Sequence, residues 1–267
     1  MQIEMFKKWV KSVYRRTCKR LISLREKTYT FQNHKIRYIN KKTGSSFLCV
    51  VFSAMPPENS GPLYNYIRTL KSITNYDLLY ILDDMVKVPG GGGYYLGSDH
   101  DYWGYIGIPE LIEFIAKKNK NTTLVTVGSS KGGTCALMYG ALVGVDYAIV
   151  GACQYKIGDY MSEGFHIPSL KKLTGKENYD EKDIQELNEL SVNALKNAKK
   201  KPVVYIHYSD REHTYNDSIV GLLKDLRMFN YQVYEDIEHY ETHQDVGKYY
   251  PTFLKKTLQK IVEQVAE

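Results

Sequence analysis

Cysteine is scarce and scattered in this sequence. Cys18, Cys49, Cys135 and Cys153 stand far apart, and none forms a C-x-x-C pair. That spacing excludes a disulfide framework and a zinc site, and favours a reducing compartment. Cys49 and Cys135 sit inside apolar segments, where a free cysteine behaves as a small hydrophobe. No cluster of metal-ligating side chains is apparent, so no metal and no cofactor is expected. The N-terminal segment lacks the uninterrupted apolar run of a signal peptide or a membrane span. There is no dinucleotide G-x-G-x-x-G. A phosphate-binding loop would need Gly-Lys-Thr, whereas Gly133-Thr134 lacks the lysine, which stands too early at 131. Internal repeats, low-complexity tracts and a dividing linker are also missing.

Charge of one sign is concentrated at one end. Residues 1–42 hold 13 Lys and Arg against Glu4 and Glu26, leaving 23 basic and 28 acidic residues for the rest. The body is mildly acidic. A nucleic-acid enzyme would surround its cleft with basic surface, so nucleic acid is not an expected partner. The 24 tyrosines suit a carbohydrate-facing cleft as well as plain packing.

Within the basic end, residues 3–24 read as an amphipathic helix. Phe6, Trp9, Val10, Val13, Tyr14, Leu21 and Ile22 recur at three- and four-residue steps, and lysines and arginines cover the other side. Such a helix suits an anionic membrane surface, the domain's own surface or a second subunit. Residues 1–27 are therefore set apart from a domain at 28–267, long enough for one substantial core.

That domain alternates strands and helices. Thr28–Phe31 and Ile36–Asn40 read as an edge hairpin. Phe47–Ser53 is an unbroken apolar run of the kind buried in parallel sheets. A helix is expected from about Leu63 to Ile73, a strand at Leu78–Leu82, a helix near Ile108–Asn119 and strands at Thr123–Val127 and Asp146–Val150. Residues 154–200, with a helix at Glu181–Lys199, interrupt the alternation as an inserted cap. The pattern resumes with the strand Val203–Tyr208, a helix near Ser218–Met228, the strand Gln232–Ile237 and a helix starting at Pro251. The fold expected is a doubly wound, mostly parallel α/β sheet.

The stretch Gly128-Ser129-Ser130-Lys131-Gly132-Gly133-Thr134 sits between a β-branched strand and an apolar helix. Gly128-x-Ser130-x-Gly132 fits a nucleophile elbow, in which the serine tips a sharp strand-to-helix turn. Glycines two residues either side let strand and helix approach. The backbone N–H of Lys131 then faces a developing oxyanion, and a second donor is expected from Ala54 or Met55. The Lys131 side chain is assigned to solvent.

A serine hydroxyl needs a histidine to take its proton and an acid to orient that histidine. The expected chain order is serine, acid, histidine. Asp210, just past the next-to-last strand, is the favoured acid, with Glu212 open as the alternative and Asp217 less suited. His243, between the last strand and the last helix, is the favoured base, with His239 as the alternative. His207 is read as a core residue, and His100, His166 and His213 as surface or cap residues. Pro89–Gly97 and the following residues form a glycine-rich loop, free to approach a ligand or to be a flexible connection. Tyr94, Tyr95 and Trp103 are its candidate substrate-binding aromatics.

With the elbow, Asp210 and His243 in that order, the chain resembles the α/β-hydrolase superfamily from about Phe47 onward. More narrowly, Val127 to Thr134 resembles proteins encoded with bacterial capsule and cell-surface polysaccharide machinery. It is also similar to the acetyltransferase component of the accessory secretion system. The resemblance implies a serine esterase or O-acyltransferase acting on a surface glycan, with an acyl donor and a carbohydrate acceptor as partners. It implies a cytoplasmic enzyme, peripheral on the membrane if residues 3–24 bind it. A non-catalytic component of a glycan-assembly or secretion complex is the alternative.

Overall fold

The structure, a computed structural model, describes residues 24–57, 60–88 and 91–266. The helix expected over residues 3–24 lies outside them apart from Leu24. Eight strands form one sheet: β1 (Lys27–Phe31), β2 (His34–Lys41), β3 (Phe47–Val51), β4 (Asp77–Ile81), β5 (Thr123–Ser129), β6 (Tyr147–Gly151), β7 (Val203–Ser209) and β8 (Val233–Glu238). Their order is β1-β2-β4-β3-β5-β6-β7-β8. The hairpin β1–β2 joins antiparallel, and every pair from β4 to β8 is parallel.

Parallel strands need helical crossovers that cover both faces, which explains the continuous apolar runs. Leu48 and Val50 point into one core with the helices α1 (Gly104–Asn119), α2 (Lys131–Val143), α5 (Glu181–Lys196) and α6 (Val220–Met228). Cys49 and Val51 point into the other, with Tyr250, Leu254, Leu258 and Ile261 of the last helix, α7 (Val246–Ala266). Cys49, Cys135 and Cys153 are free and buried, as small hydrophobes.

Three elements differ from the sequence reading. Residues 63–73 form no helix: only 67–72 make turns, and Tyr66 has φ 60°, a left-handed conformation that interrupts helical propagation. The last helix begins at Val246, because the short 3₁₀ turn His243–Asp245 runs directly into it and Pro251 is accommodated inside. A π-helical turn at Tyr215–Ile219 precedes α6, an irregularity often found at functional sites. In the inserted segment, α3 (Ile157–Met161) and α5 pack on each other and α5 packs on α2, while α4 (Ile167–Thr174) meets the glycine-rich loop through Ser169 and Leu173. No helix among the described residues is long and apolar enough to cross a membrane.

Candidate active site

The turn from β5 into α2 is sterically forced. Ser130 has φ 54° and ψ −131°, a strained conformation for a residue with a Cβ. Its N–H donates to Gly151 O at 2.8 Å, which fastens the elbow to β6. A Cβ on Gly128 would collide with the Gly132 carbonyl, and one on Gly132 would lie 2.6 Å from Phe52 O. Both glycines are therefore required by backbone packing. The same contact sets the end of β3, and with it Ala54 and Met55, beside the elbow. On the far side, Tyr250 Oη accepts from Gly128 N at 3.0 Å and donates to Ile149 O at 2.6 Å.

Ser130 Oγ lies 2.9 Å from His243 Nε2. Nδ1 of that histidine lies 3.2 and 3.3 Å from the two oxygens of Glu212. The acid beside His243 is thus Glu212 and not Asp210. Asp210 Oδ1 instead pairs with His239 Nδ1 at 2.8 Å in an exposed contact, so neither member of that pair is at the serine. The reason is the course of the chain past β7. Asp210 N donates to Glu238 O, extending the β7–β8 ladder by one residue, and the turn that follows carries Glu212 inward. Its side chain has no exposed surface, and Thr214 donates to it through both N–H and Oγ1. Burial alone would raise the Glu212 pKa. Hydrogen bonds from His243 and Thr214, with the histidine's charge, outweigh it and hold the carboxyl below its ordinary range.

Lys131 is also corrected. Its side chain is 1 % exposed, with Nζ 2.5 Å from Asp83 Oδ2 and 4.6 Å from the centre of the Tyr95 ring. Gly93 N donates to the same Asp83 oxygen at 3.1 Å. A Cβ on Gly92 would press on Met55 Sδ and on Lys131 Cδ and Cε. Gly91–Gly93 are buried, so these glycines approach protein rather than a ligand. Tyr94 and Tyr95 are fully buried and line no open surface. Tyr95 Oη accepts from Ser53 N at 2.7 Å and donates to Ile81 O, anchoring the loop that carries Ala54 and Met55. Trp103 stacks on His34 with ring centres 4.4 Å apart, at the hairpin flank of the sheet. Three strand spacings separate β2 from the elbow strand.

His207 is buried and bonded to Asp236 through Nδ1, His166 is buried against Tyr160 and Phe165, and Asp245 accepts locally from Thr242. The residue that sequence reasoning missed is Gln154. Its side chain reaches both Ser130 Oγ and His243 Nε2, at 2.9 and 3.4 Å. Its only signal was position, just beyond the C-terminal end of a central parallel strand, where such sheets place ligands. The assembly can relay a proton from a serine hydroxyl to an imidazole backed by a carboxylate, at the N-terminal end of α2, where Gly133 N and Thr134 N already donate to Ser130 O. No group of three or more His, Cys, Asp or Glu among the described residues has a metal-holding arrangement.

No family model and no curated protein sequence matches this chain. Solved structures do. The capsule O-acetyltransferase of Neisseria meningitidis serogroup A superposes with a TM-score of 0.72 at 22 % identity, covering 89 % of this chain and 99 % of that one. A variant of that enzyme in complex with CoA gives 0.69 at 20 % identity, over 87 % and 94 % of the two chains. The glycosylation-associated protein complex of Streptococcus agalactiae gives 0.71 at 16 %, over 88 % of this chain and 46 % of that one. The fluorophosphonate-binding serine hydrolase F of Staphylococcus aureus gives 0.65 at 12 %, over 89 % and 97 %. The fold is α/β-hydrolase-like.

Proposed function

We propose that this chain is a serine O-acyltransferase that moves an acyl group from an activated donor to a hydroxyl of a bacterial surface glycan or its precursor. The observation that carries the reading is the continuous contact chain from Ser130 Oγ through His243 to the buried Glu212. Glu212 holds the imidazole with its proton on Nδ1, which leaves Nε2 as the base. Nε2 takes the Ser130 proton as Oγ attacks the donor carbonyl. The N–H groups of Lys131 and of Ala54 or Met55 hold the oxyanion. Collapse expels the donor's leaving group, which takes the proton from Nε2, and leaves an ester on Ser130. The acceptor hydroxyl then gives its proton to Nε2, attacks the ester and releases Oγ, which recovers the proton.

The capsule O-acetyltransferase neighbour and its CoA complex support a CoA thioester as donor and a polysaccharide as acceptor. A thioester of that kind is a cytoplasmic metabolite, which supports the inner face of the membrane as the place of action, with residues 3–24 as the contact. Nothing favours the non-catalytic alternative, since a pseudoenzyme has no physical need for a buried carboxylate aimed at His243. The test is CoA release from acetyl-CoA with and without a panel of capsular polysaccharides. Acceptor-dependent release that disappears in Ser130→Ala supports transfer. Equal release without any acceptor makes the protein a hydrolase.

A further inference from the structure

Gln154 is fully buried, yet one end of its amide is unused: Oε1 has no hydrogen-bond partner among the described residues. Leaving a buried amide half-paired is costly. The backbone that brings it there is strained as well, for Ala152 has φ 38°, in a region that residues with a Cβ avoid. Ala152 N donates to His207 O, and Thr134 Oγ1 donates to Gln154 O at 2.6 Å, which fix the turn from β6 toward the elbow. Unfavourable features on two successive levels place one amide against one hydroxyl, a pattern found at functional sites.

The orientation of the amide follows from the proton inventory. The single proton of Ser130 Oγ goes to His243 Nε2, so the remaining lone pairs of Oγ need a donor, and Nε2 of Gln154 supplies it at 2.9 Å. This contact is directed at Oγ itself, whereas the oxyanion donors face the carbonyl oxygen. The two act on different bonds. When an acyl-serine is attacked by an acceptor hydroxyl, the bond between the acyl carbon and Oγ breaks and its electron pair settles on Oγ. A donor on Oγ stabilises that developing charge until His243 returns the proton. During acylation the same donor favours return of Oγ from the tetrahedral intermediate, a handicap unless the other leaving group departs easily.

We propose that Gln154 is a catalytic residue that assists departure of Ser130 Oγ, speeding deacylation and restricting efficient donors to activated esters and thioesters. The inference rests on the acyl-enzyme reading above. Its test is pre-steady-state turnover of p-nitrophenyl acetate by wild type and Gln154→Met, which keeps the length and removes the donor, with acetyl-enzyme followed by intact mass. Loss of one donor to a charged oxygen is expected to slow deacylation about 10²- to 10³-fold, with acylation changed much less. The variant should then show a burst and accumulate acetyl-Ser130.

Equal loss of acylation and deacylation, or wild-type kinetics in Gln154→Met, overturns the assignment to Oγ departure. Fluorophosphonate labelling of Ser130 in the same preparations separates the two claims. Labelled wild type and labelled Gln154→Met without a kinetic difference sink only the role of Gln154. Wild type that neither labels nor acetylates sinks both.

Discussion

Nδ1 of His243 lies 3.2 Å from Oε2 of Glu212, and the Glu212 side chain is wholly withdrawn from solvent. A hydrogen bond in such a site is little weakened by solvent, so the carboxylate sets the imidazole's tautomer and its orientation. Glu212→Gln is expected to lower kcat by about 10²- to 10⁴-fold, while Asp210→Asn stays within about threefold because its partner His239 is exposed. Steady-state turnover of the two variants on one ester substrate separates them.

The same carboxyl links stability to pH. Its folded pKa is lowered, while in the unfolded chain a glutamate protonates at about 4.3. Between these values the unfolded state binds the extra proton, so the contribution is complete above the unfolded value and is lost as pH falls through the folded one. Urea midpoints measured from about pH 6 down to about pH 3 should fall for wild type. The fall should be shallower in Glu212→Gln, and equal slopes would contradict the assignment.

Lys131 and Asp83 form a buried pair that ties the elbow to the loop through Gly93. Lys131→Met leaves the buried Asp83 without its cation, with an expected loss of about 3–5 kcal/mol. Adding Asp83→Leu removes the orphan and should recover most of it. Chemical denaturation of the two single variants and the double variant gives the coupling directly. Additive losses would show that the pair does not act as a unit.

Gly132→Ala places a methyl group 2.6 Å from Phe52 O. Strand β3 and helix α2 must then separate, with an expected cost of about 1–3 kcal/mol and a larger proportional loss of activity as the proposed oxyanion donors move. Urea unfolding and turnover, measured together, check both effects.

Much of the layout was legible because its causes are local. The β-branched and apolar runs at Phe47–Val51 and Thr123–Val127 mark strands, and the glycines around Ser130 mark an elbow whose collisions only glycine avoids. His243 was legible from its place after the last strand. Asp210 was not separable from Glu212, since a two-residue offset past β7 is decided by one extra ladder bond to Glu238 and the turn after it. Lys131 and the tyrosines at 94 and 95 misled for a related reason. Their partners, Asp83, Ser53 and Tyr139, lie across the fold, and exposure assigned from residue type fails where such partners exist. Gln154 belongs to no motif. Its role arises from the bend at Ala152, which the sequence pattern does not announce.

The central claim is that Ser130 is an activated nucleophile. Intact-mass measurement after fluorophosphonate treatment tests it most directly, with wild type, Ser130→Ala and His243→Ala in parallel. A single adduct on wild type, absent from Ser130→Ala and strongly suppressed in His243→Ala, is the expected result. Folded wild type that takes up no probe, or an adduct that persists in Ser130→Ala, would contradict it.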